Sequence, residues 1–167
     1  MEYLDLYDID GSLTGESIPR TKNKENVPDD RYIKLVLIYI QNSDNKFLFQ
    51  LTSQAKEHVI ATTGGHVQSG QTSKEAIINE VSEELGLDIT NENYVFVKSY
   101  ITKKAIVDTY YLKKDIDINS LTLQEEEVES VNWYTKEEIY KLIDEEKLRK
   151  GNIKGFNYVI EYIEKCA

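Results

Sequence analysis

The sequence has little of several residue types on which whole classes of protein depend. It contains one cysteine, Cys166, and two prolines, Pro19 and Pro28, among 167 residues. A single cysteine excludes a disulfide framework and a cysteine-based zinc site, and it argues against a thiol nucleophile. No apolar run approaches the roughly 18 residues of a membrane-spanning helix. The opening residues, Met1 to Asp5, are acidic where a signal peptide would be basic, so we predict no membrane association and a cytoplasmic location.

Positive charge is also in deficit. Twenty lysines and arginines oppose thirty aspartates and glutamates, which gives a net charge of −10. Such a chain repels polyanions and releases no counterions on binding them, so a nucleic-acid polymer is not the predicted partner. A small phosphorylated substrate is still compatible if bound cations or a local basic patch offset the field. The basic cluster of Arg20, Lys22 and Lys24 is either such a patch, facing a distal phosphate, or a solvated loop.

The apolar and turn patterns predict an α/β chain folded as one domain over residues 1–167. Residues 1–31 are predicted to form an N-terminal strand or hairpin and then a long loop, within the polar stretch from Gly11 to Arg31. Two amphipathic helices are predicted in the C-terminal region 136–165, at Lys136–Lys147 and Ile153–Lys165. Strands are predicted at Tyr3–Asp8, Tyr32–Gln41, Lys46–Thr52, Tyr94–Thr102 and Ala105–Lys113.

A further helix has clear start and stop signals. Thr72 and Glu75 form a capping box, and the helix is predicted to run to Leu85 and to end at Gly86. Strands and helices intermixed in this order favour a mixed sheet with helices on both faces. The core-facing stripe of this helix is predicted at Ile77, Val81 and Leu85.

The same helix carries the strongest functional pattern. Glu80, Glu83 and Glu84 have the spacing of residues on one helix face, predicted to lie opposite the apolar stripe. Carboxylates this close repel one another and raise each other's pKa, and a hard divalent cation such as Mg²⁺ or Mn²⁺ relieves that repulsion. Upstream, Gly64 and Gly65 allow a bare backbone to approach, so a glycine carbonyl is a further candidate ligand. The alternative is a solvated acidic helix face.

The segment 64–87 resembles the signature of the Nudix family. Its first glycine, first helix glutamate, glutamate pair and closing glycine–leucine would be Gly65, Glu80, Glu83-Glu84 and Gly86-Leu87. The resemblance implies an α/β/α sandwich with a mixed β-sheet. It also implies metal-dependent hydrolysis of the diphosphate in a nucleoside diphosphate linked to another moiety, in a family whose members commonly form homodimers.

The opening DLYDIDGSLTGESIPR and the segment GGHV resemble one branch of that family, related to isopentenyl-diphosphate isomerase. The isomerase reaction itself is not predicted. That chemistry needs a cysteine at about the position of Gly64, and a second metal-site histidine would fall near Ile33. His66 keeps one of the histidine positions and is a minor candidate for substrate binding, as is Arg20.

The resemblance assigns roles to individual residues. Glu80, Glu83, Glu84 and the Gly65 carbonyl would hold the Mg²⁺ or Mn²⁺, with Glu83 and Glu84 in the catalytic set. The proton of the attacking water would pass to Glu84 or to a further glutamate in a loop before a tryptophan. In that loop Glu127 has the best distance from Trp133, and Glu125 and Glu126 are the alternatives. A solvated acidic loop and a core position for Trp133 are the plain interpretations.

Two positions depart from the family signature. Gln71 replaces its loop glutamate, and Asn79 replaces its helix arginine. The ion pair thought to brace the loop would become an amide pair, which still hydrogen-bonds but supplies no charge. These departures leave a second hypothesis open, a catalytically weakened Nudix-fold module that binds nucleotides or regulates. The intact set of three glutamates favours the enzyme.

Overall fold

The structure is a computed structural model that describes residues 1–21 and 26–166. Within these ranges the chain forms three α-helices, α1 (Ser73–Leu85), α2 (Lys136–Asp144) and α3 (Ile153–Cys166). None of these helices combines the length and apolar character that crossing a membrane requires. The strands are β1 (Tyr3–Tyr7), β2 (Leu13–Pro19), β3 (Ile33–Gln41), β4 (Phe47–Thr52), β5 (Ile60–Ala61), β6 (Thr63–His66), β7 (Val95–Ile101), β8 (Ala105–Lys113) and β9 (Val128–Tyr134).

The predicted helices and strands are confirmed to within a few residues, with one correction. The stretch from Gly11 to Arg31 is not a continuous loop, because Leu13–Pro19 forms β2 and completes a hairpin with β1. Most of its side chains are exposed, so the strand depends on backbone pairing and its sequence shows no apolar pattern. Lys22 and Lys24, predicted as part of the basic cluster, lie outside the described residues.

The main sheet is mixed, as predicted. Its strands follow the order β5-β4-β3-β8-β7, and β6 and β9 pair with β3 and β4 respectively. The pairing of β3 with β8 is parallel along its full length, from Ile33–Ala105 to Gln41–Lys113. The strand β3 pairs antiparallel with β4 and β6, and β4 pairs antiparallel with β5 and β9. The hairpin of β1 and β2 forms a separate two-stranded sheet.

Helices cover both faces of the main sheet, which confirms the α/β/α sandwich. Side chains alternate along β3, so Val36 and Ile38 lie on one face, and Leu37 and Tyr39 lie on the other. The first set is buried with the apolar residues of α1, and the second with those of α2 and α3. The carboxylates of α1 therefore belong to the helix layer that faces β3, β4 and β6.

The local signals for α1 are confirmed in detail. The Thr72 hydroxyl accepts from the backbone N–H of Glu75 at 3.1 Å, and the Glu75 carboxylate accepts from the N–H of Thr72 at 3.1 Å. The helix ends at Gly86, which has a φ of 67°, and its N–H donates to the carbonyl of Ser82. Both ends of the helix are thus fixed by adjacent residues, and this sets which positions project toward the sheet.

The segment between α2 and α3 is attached to the edge of the sheet near β6. The Asn152 side-chain oxygen accepts from the backbone N–H of Thr62 at 2.9 Å. The backbone carbonyl of Asn152 accepts from the Tyr39 hydroxyl at 2.7 Å. Asn152 is buried, so the Thr62 N–H has no access to water in the folded chain.

Replacing Asn152 by alanine is therefore expected to lower the free energy of unfolding by about 1–3 kcal/mol, since a buried donor loses its acceptor. Chemical denaturation of the purified variant measures this. Asn157→Ala is the matched control, because Asn157 is exposed and its amide oxygen accepts only from the Tyr140 hydroxyl. Equal losses in the two variants would contradict the expectation.

Candidate active site

The site begins at the two glycines of β6. In the pairing of β6 with β3, Gly64 lies opposite Leu37 and Gly65 lies opposite Val36. A Cβ atom on Gly65 would come within 2.3 Å of the carboxyl carbon of Glu80. The absence of a side chain at Gly65 thus allows a carboxyl group from α1 to lie directly against the strand backbone. This is the close approach that the sequence predicted for the pair of glycines.

The three glutamates of α1 do not share one environment. Glu84 is only 6% exposed, Glu80 is half-buried and Glu83 is exposed. The prediction that all three lie opposite the apolar stripe is wrong for Glu84. Seven residues make almost two full helical turns, so Glu84 returns to the side of Ile77 and faces the sheet. The carboxyl groups of Glu80 and Glu84 meet there and share a hydrogen bond.

Sequence reasoning missed a layer of polar side chains beneath Glu84. The amide of Gln50, on β4, donates to Oε1 of Glu84 at 2.9 Å. The Thr63 hydroxyl in turn donates to the amide oxygen of Gln50 at 3.2 Å. Both residues are buried, so this series of hydrogen bonds holds the Glu84 carboxylate in one orientation. The available signal was a glutamine that follows three apolar residues in the segment KFLFQLT.

Burial dominates the electrostatics of the paired acids. It raises the pKa of Glu80 to about 9, with smaller contributions from the hydrogen bond to Glu84 and from the charges of Glu84 and Glu83. Burial likewise raises the pKa of Glu84, although the hydrogen bonds from Glu80 and Gln50 oppose this. The predicted rise in pKa is confirmed for both groups, but loss of water contributes more than mutual repulsion. Near neutral pH the metal-free pair therefore retains a proton.

The acidic loop before β9 lies beside the end of α1. The N–H of Gln124 donates to the Glu84 carbonyl at 3.1 Å, which ties the loop to the helix. Of the three candidate acids, Glu127 is half-buried and its charge raises the pKa of Glu84, whereas Glu125 and Glu126 are exposed. The Glu127 carboxylate lies 3.4 Å from Nζ of Lys56. Glu127 is therefore the member of this loop that the structure brings to the site.

Trp133 lies on β9, is partly buried and packs against the core on the α1 side of the sheet. Its predicted core position is confirmed. Tyr100 and Tyr110 are buried as well, in agreement with the usual packing of tyrosines in strands.

The two departures from the family signature do not form the predicted amide pair. The amide oxygen of Gln71 accepts from the N–H of Gln68 at 2.9 Å, within its own loop. Asn79 is exposed on α1, and none of the hydrogen bonds among residues 1–21 and 26–166 joins it to Gln71. The Gln71 amide closes a turn within its own loop, and that contact competes with one to the helix.

The two substrate-binding candidates lie at the rim of the site. The Arg20 guanidinium is 2.6 Å from the carboxylate of Glu2, and its positive charge opposes the rise in the pKa of Glu80. Of the predicted basic cluster, Arg20 is the residue that the structure describes, and its charge acts on the paired acids. His66 is half-buried at the end of β6, opposite Leu35.

The candidate ligands are oxygen atoms, which suit a hard divalent cation. The structure does not bring all of the candidate carboxylates together. Over the described part of the chain, no group of three or more His, Cys, Asp or Glu side chains is arranged to hold a metal ion. What the structure does assemble is the pair of Glu80 and Glu84, with the Glu80 carboxyl group against the open backbone at Gly65. Carboxylate and carbonyl oxygens of this kind are the ligands that Mg²⁺ and Mn²⁺ prefer.

The stability of the metal-free protein is expected to fall as the pH rises from about 4.5 toward 9. The unfolded chain releases the Glu80 proton near its ordinary pKa of 4.5, whereas the folded chain keeps it up to a pKa of about 9. The folded state binds more protons across that window, so raising the pH favours unfolding. Thermal melts in EDTA at pH 6 and pH 9 measure the effect, with a lower Tm expected at pH 9. Glu80→Gln should show a smaller drop, and an equal drop in both proteins would contradict the assignment.

Comparison with known proteins agrees with this geometry. A family model of the NUDIX domain matches residues 31–155. An uncharacterized Nudix hydrolase of Listeria monocytogenes is 30% identical over 146 residues, which span 85% of this chain and 85% of that protein. Nudix hydrolase 3 of Arabidopsis thaliana is 27% identical over 162 residues, which span 87% of this chain and 21% of that protein.

Solved structures show the same fold. A protein of Deinococcus radiodurans, DR0079, superimposes with a TM-score of 0.75 at 24% identity, covering 99% of each chain. The NUDIX domain of Shewanella oneidensis NrtR, in complex with ADP-ribose, superimposes with a TM-score of 0.63 at 10% identity, covering 79% of this chain and 88% of that one. The narrower resemblance to the isomerase-related branch stays a prediction. The family match spans most of the sequence and includes the paired glutamates and Gly65, and the chain therefore belongs to the Nudix family of pyrophosphohydrolases.

Proposed function

We propose that the chain hydrolyses the diphosphate linkage of a nucleoside diphosphate joined to another moiety, with Mg²⁺ or Mn²⁺ as cofactor. One observation carries the proposal: the half-buried Glu80 meets the buried Glu84, and the Glu80 carboxyl group lies against the bare backbone at Gly65. Burial of two adjacent acids costs folding energy unless they share a proton or a cation. A cation site explains why the chain maintains this arrangement.

In this proposal the metal ligands are Glu80, Glu83, Glu84 and the Gly65 carbonyl. A divalent ion held by these residues would supply positive charge to the diphosphate oxygens and would lower the pKa of a bound water, so a chain of net charge −10 could accommodate a phosphorylated substrate. Displacing the proton that Glu80 and Glu84 share gives both carboxylates their full negative charge. Metal binding is thus expected to release protons near neutral pH.

The proton acceptor is Glu84 or Glu127. Gln50 holds one oxygen of Glu84 and so fixes the direction of the other. Burial raises the pKa of Glu84, and a raised pKa makes a carboxylate a better proton acceptor. Glu127, paired with Lys56, lies on the same side and is the alternative.

Two residues at the rim supply candidate contacts to the substrate. Arg20 is a cation near Glu80, and exchange of its Glu2 partner for a phosphate would bring a charge-assisted contact to the substrate. His66 lies at the end of the glycine strand and is the second candidate. The NrtR domain in complex with ADP-ribose makes nucleoside diphosphates linked to a sugar the first class to test.

Chromatography of the products formed with Mg²⁺ or Mn²⁺ tests the function directly, because cleavage of a diphosphate linkage yields a nucleotide and a second phosphorylated product. The panel comprises nucleoside triphosphates, nucleotide sugars, dinucleoside polyphosphates and ADP-ribose. Turnover is expected on at least one class and should disappear with excess EDTA, because the carboxylates alone cannot offset the charge of the diphosphate. Turnover that survives chelation would overturn the metal mechanism.

A catalytically weakened binding or regulatory module is the second candidate. The observation that favours it is that the two residues departing from the family signature do not pair with each other. Gln71 is turned toward Gln68, and Asn79 is exposed. The module predicts nucleotide and metal binding by calorimetry with no turnover on any member of the panel. Turnover by the metal-loaded protein would exclude it.

A further inference from the structure

The loop between β6 and α1 controls how the two halves of the site meet. Residues 67–71 connect the strand that carries Gly65 to the helix that carries Glu80 and Glu84. Any change in the shape of this loop moves the strand backbone relative to the carboxylates. A metal site tolerates little displacement of its ligands, so the contacts that hold this loop bear on the site. At its start, the Val67 N–H donates to the Lys34 carbonyl of β3 at 2.9 Å.

The N-terminal hairpin holds it. One carboxylate oxygen of Asp5 accepts from the Ser69 hydroxyl at 2.6 Å, and the other accepts from the Gly70 backbone N–H at 3.0 Å. The Tyr3 carbonyl accepts from the backbone N–H of Ser69 at 2.7 Å. One ionised side chain thus takes donors from two consecutive loop residues, and such charge-assisted bonds are stronger than neutral ones.

The conformation of the loop is consistent with its being held by contacts from another element. Gly70 has a φ of 85°, a left-handed conformation, with open space where a side chain would be. Its N–H therefore points at Asp5 because of the backbone turn, and packing against neighbours does not enforce that turn. Within the loop the bond from the Gln68 N–H to Gln71 adds a local closure, but it does not connect the loop to another element.

Asp5 is itself firmly placed. Its neighbours Leu4 and Leu6 are buried at 3% and 2% exposure in a cluster that includes Ile33 of β3. Backbone bonds between Tyr7 and Tyr32 attach the hairpin to the segment that leads into β3. Side chains alternate along a strand, so burial of Leu4 and Leu6 turns Asp5 away from that cluster and toward the loop.

We propose that Asp5 is a positioning residue for the metal site: by binding Ser69 and Gly70 it fixes the loop that sets Gly65 against Glu80. The inference rests on the proposed metal-dependent function, and it gives the N-terminal hairpin a role in that function. Asp5 touches neither the cation nor the substrate in this proposal. It acts only through the loop.

The test compares Asp5→Asn, Ser69→Ala and Glu16→Gln in the full chain. Asp5→Asn keeps the size of the side chain but sets an amide NH₂ against one of the two loop donors. Ser69→Ala removes one contact from the other side. Glu16→Gln is the matched control, since Glu16 is a carboxylate of the same hairpin that pairs with Arg31 and makes no contact with the loop.

Two readouts do not depend on turnover. Calorimetric titration with Mn²⁺ is expected to show affinity reduced about 10–100-fold in Asp5→Asn, less in Ser69→Ala and unchanged in Glu16→Gln. Hydrogen exchange followed by NMR should show the Gly70 amide exchanging at least tenfold faster in Asp5→Asn. If an active substrate is found, kcat should fall with little change in KM.

Wild-type Mn²⁺ affinity in Asp5→Asn would overturn the proposal, as would unchanged exchange at Gly70. Equal losses of metal affinity in Asp5→Asn and Glu16→Gln would also overturn it, because they would trace the effect to the charge of the hairpin. The failure of the proposed function is a separate result, namely no turnover by the wild-type protein on any substrate. Metal titration and exchange still decide the role of Asp5 in that case.

Discussion

Replacing Glu84 by glutamine is expected to lower kcat/KM by about 10²–10⁴-fold, the range for losing a positioned acid–base group. The substitution removes a negative charge from the buried pair while keeping the shape of the side chain. Its amide oxygen still accepts from Gln50, whose bond to Glu84 is 2.9 Å, so folding should be retained. The loss therefore reports on charge at the site, measured as the rate of nucleotide product formation in saturating Mg²⁺.

The control for Glu84→Gln is Glu164→Gln, an exposed carboxylate on α3 that pairs with Lys136 at 3.9 Å, remote from the paired acids. It should keep wild-type activity. Glu127→Gln distinguishes the two candidate proton acceptors, because only the true acceptor should lose its pH-dependent step in kcat. Retention of more than a tenth of the activity in Glu84→Gln would rule out its assignment as a ligand or base.

The helix that carries the site could be predicted because its determinants are local. Thr72 and Glu75 cap it from within four residues, and Gly86 ends it with a left-handed turn. The strands β3 and β8 could also be predicted, since burial on both faces makes their sequences mainly apolar and rich in β-branched and aromatic residues. By contrast β2 and β9 carry polar side chains along much of their length, and only their pairing partners make them strands.

The contacts that complete the site could not be predicted because they join distant parts of the chain. Gln50 lies 34 positions from Glu84, and Asp5 lies 64 and 65 positions from its two loop partners. The sequence around each of these two residues contains no pattern that indicates its hydrogen-bond partner. The misplacement of Glu84 has a different cause. Its spacing of seven residues from Ile77 already places it on the buried side of α1, and the interpretation of the three glutamates as one face opposite the apolar stripe overlooked that spacing.

The two adjacent glycines of β6 are expected to respond differently to the same substitution. In Gly65→Ala the new Cβ would lie 2.3 Å from the carboxyl carbon of Glu80 and 2.4 Å from its Oε1. These atoms are the far end of a flexible side chain, so the carboxyl group can swing out toward solvent. We expect metal affinity to fall by at least 10–100-fold while the free energy of unfolding stays within about 1 kcal/mol of wild type, since a buried acid is released to water.

In Gly64→Ala the new Cβ would instead lie 2.3 Å from the backbone carbonyl oxygen of Val36. That atom belongs to β3 and moves only if the pairing of β3 with β6 is disturbed, so stability should fall by several kcal/mol. Calorimetric Mn²⁺ titration and chemical denaturation of both variants separate the two effects. A Gly65→Ala protein that binds Mn²⁺ like wild type would show that Glu80 has no need of the bare backbone, and the metal site would have to be placed elsewhere on α1.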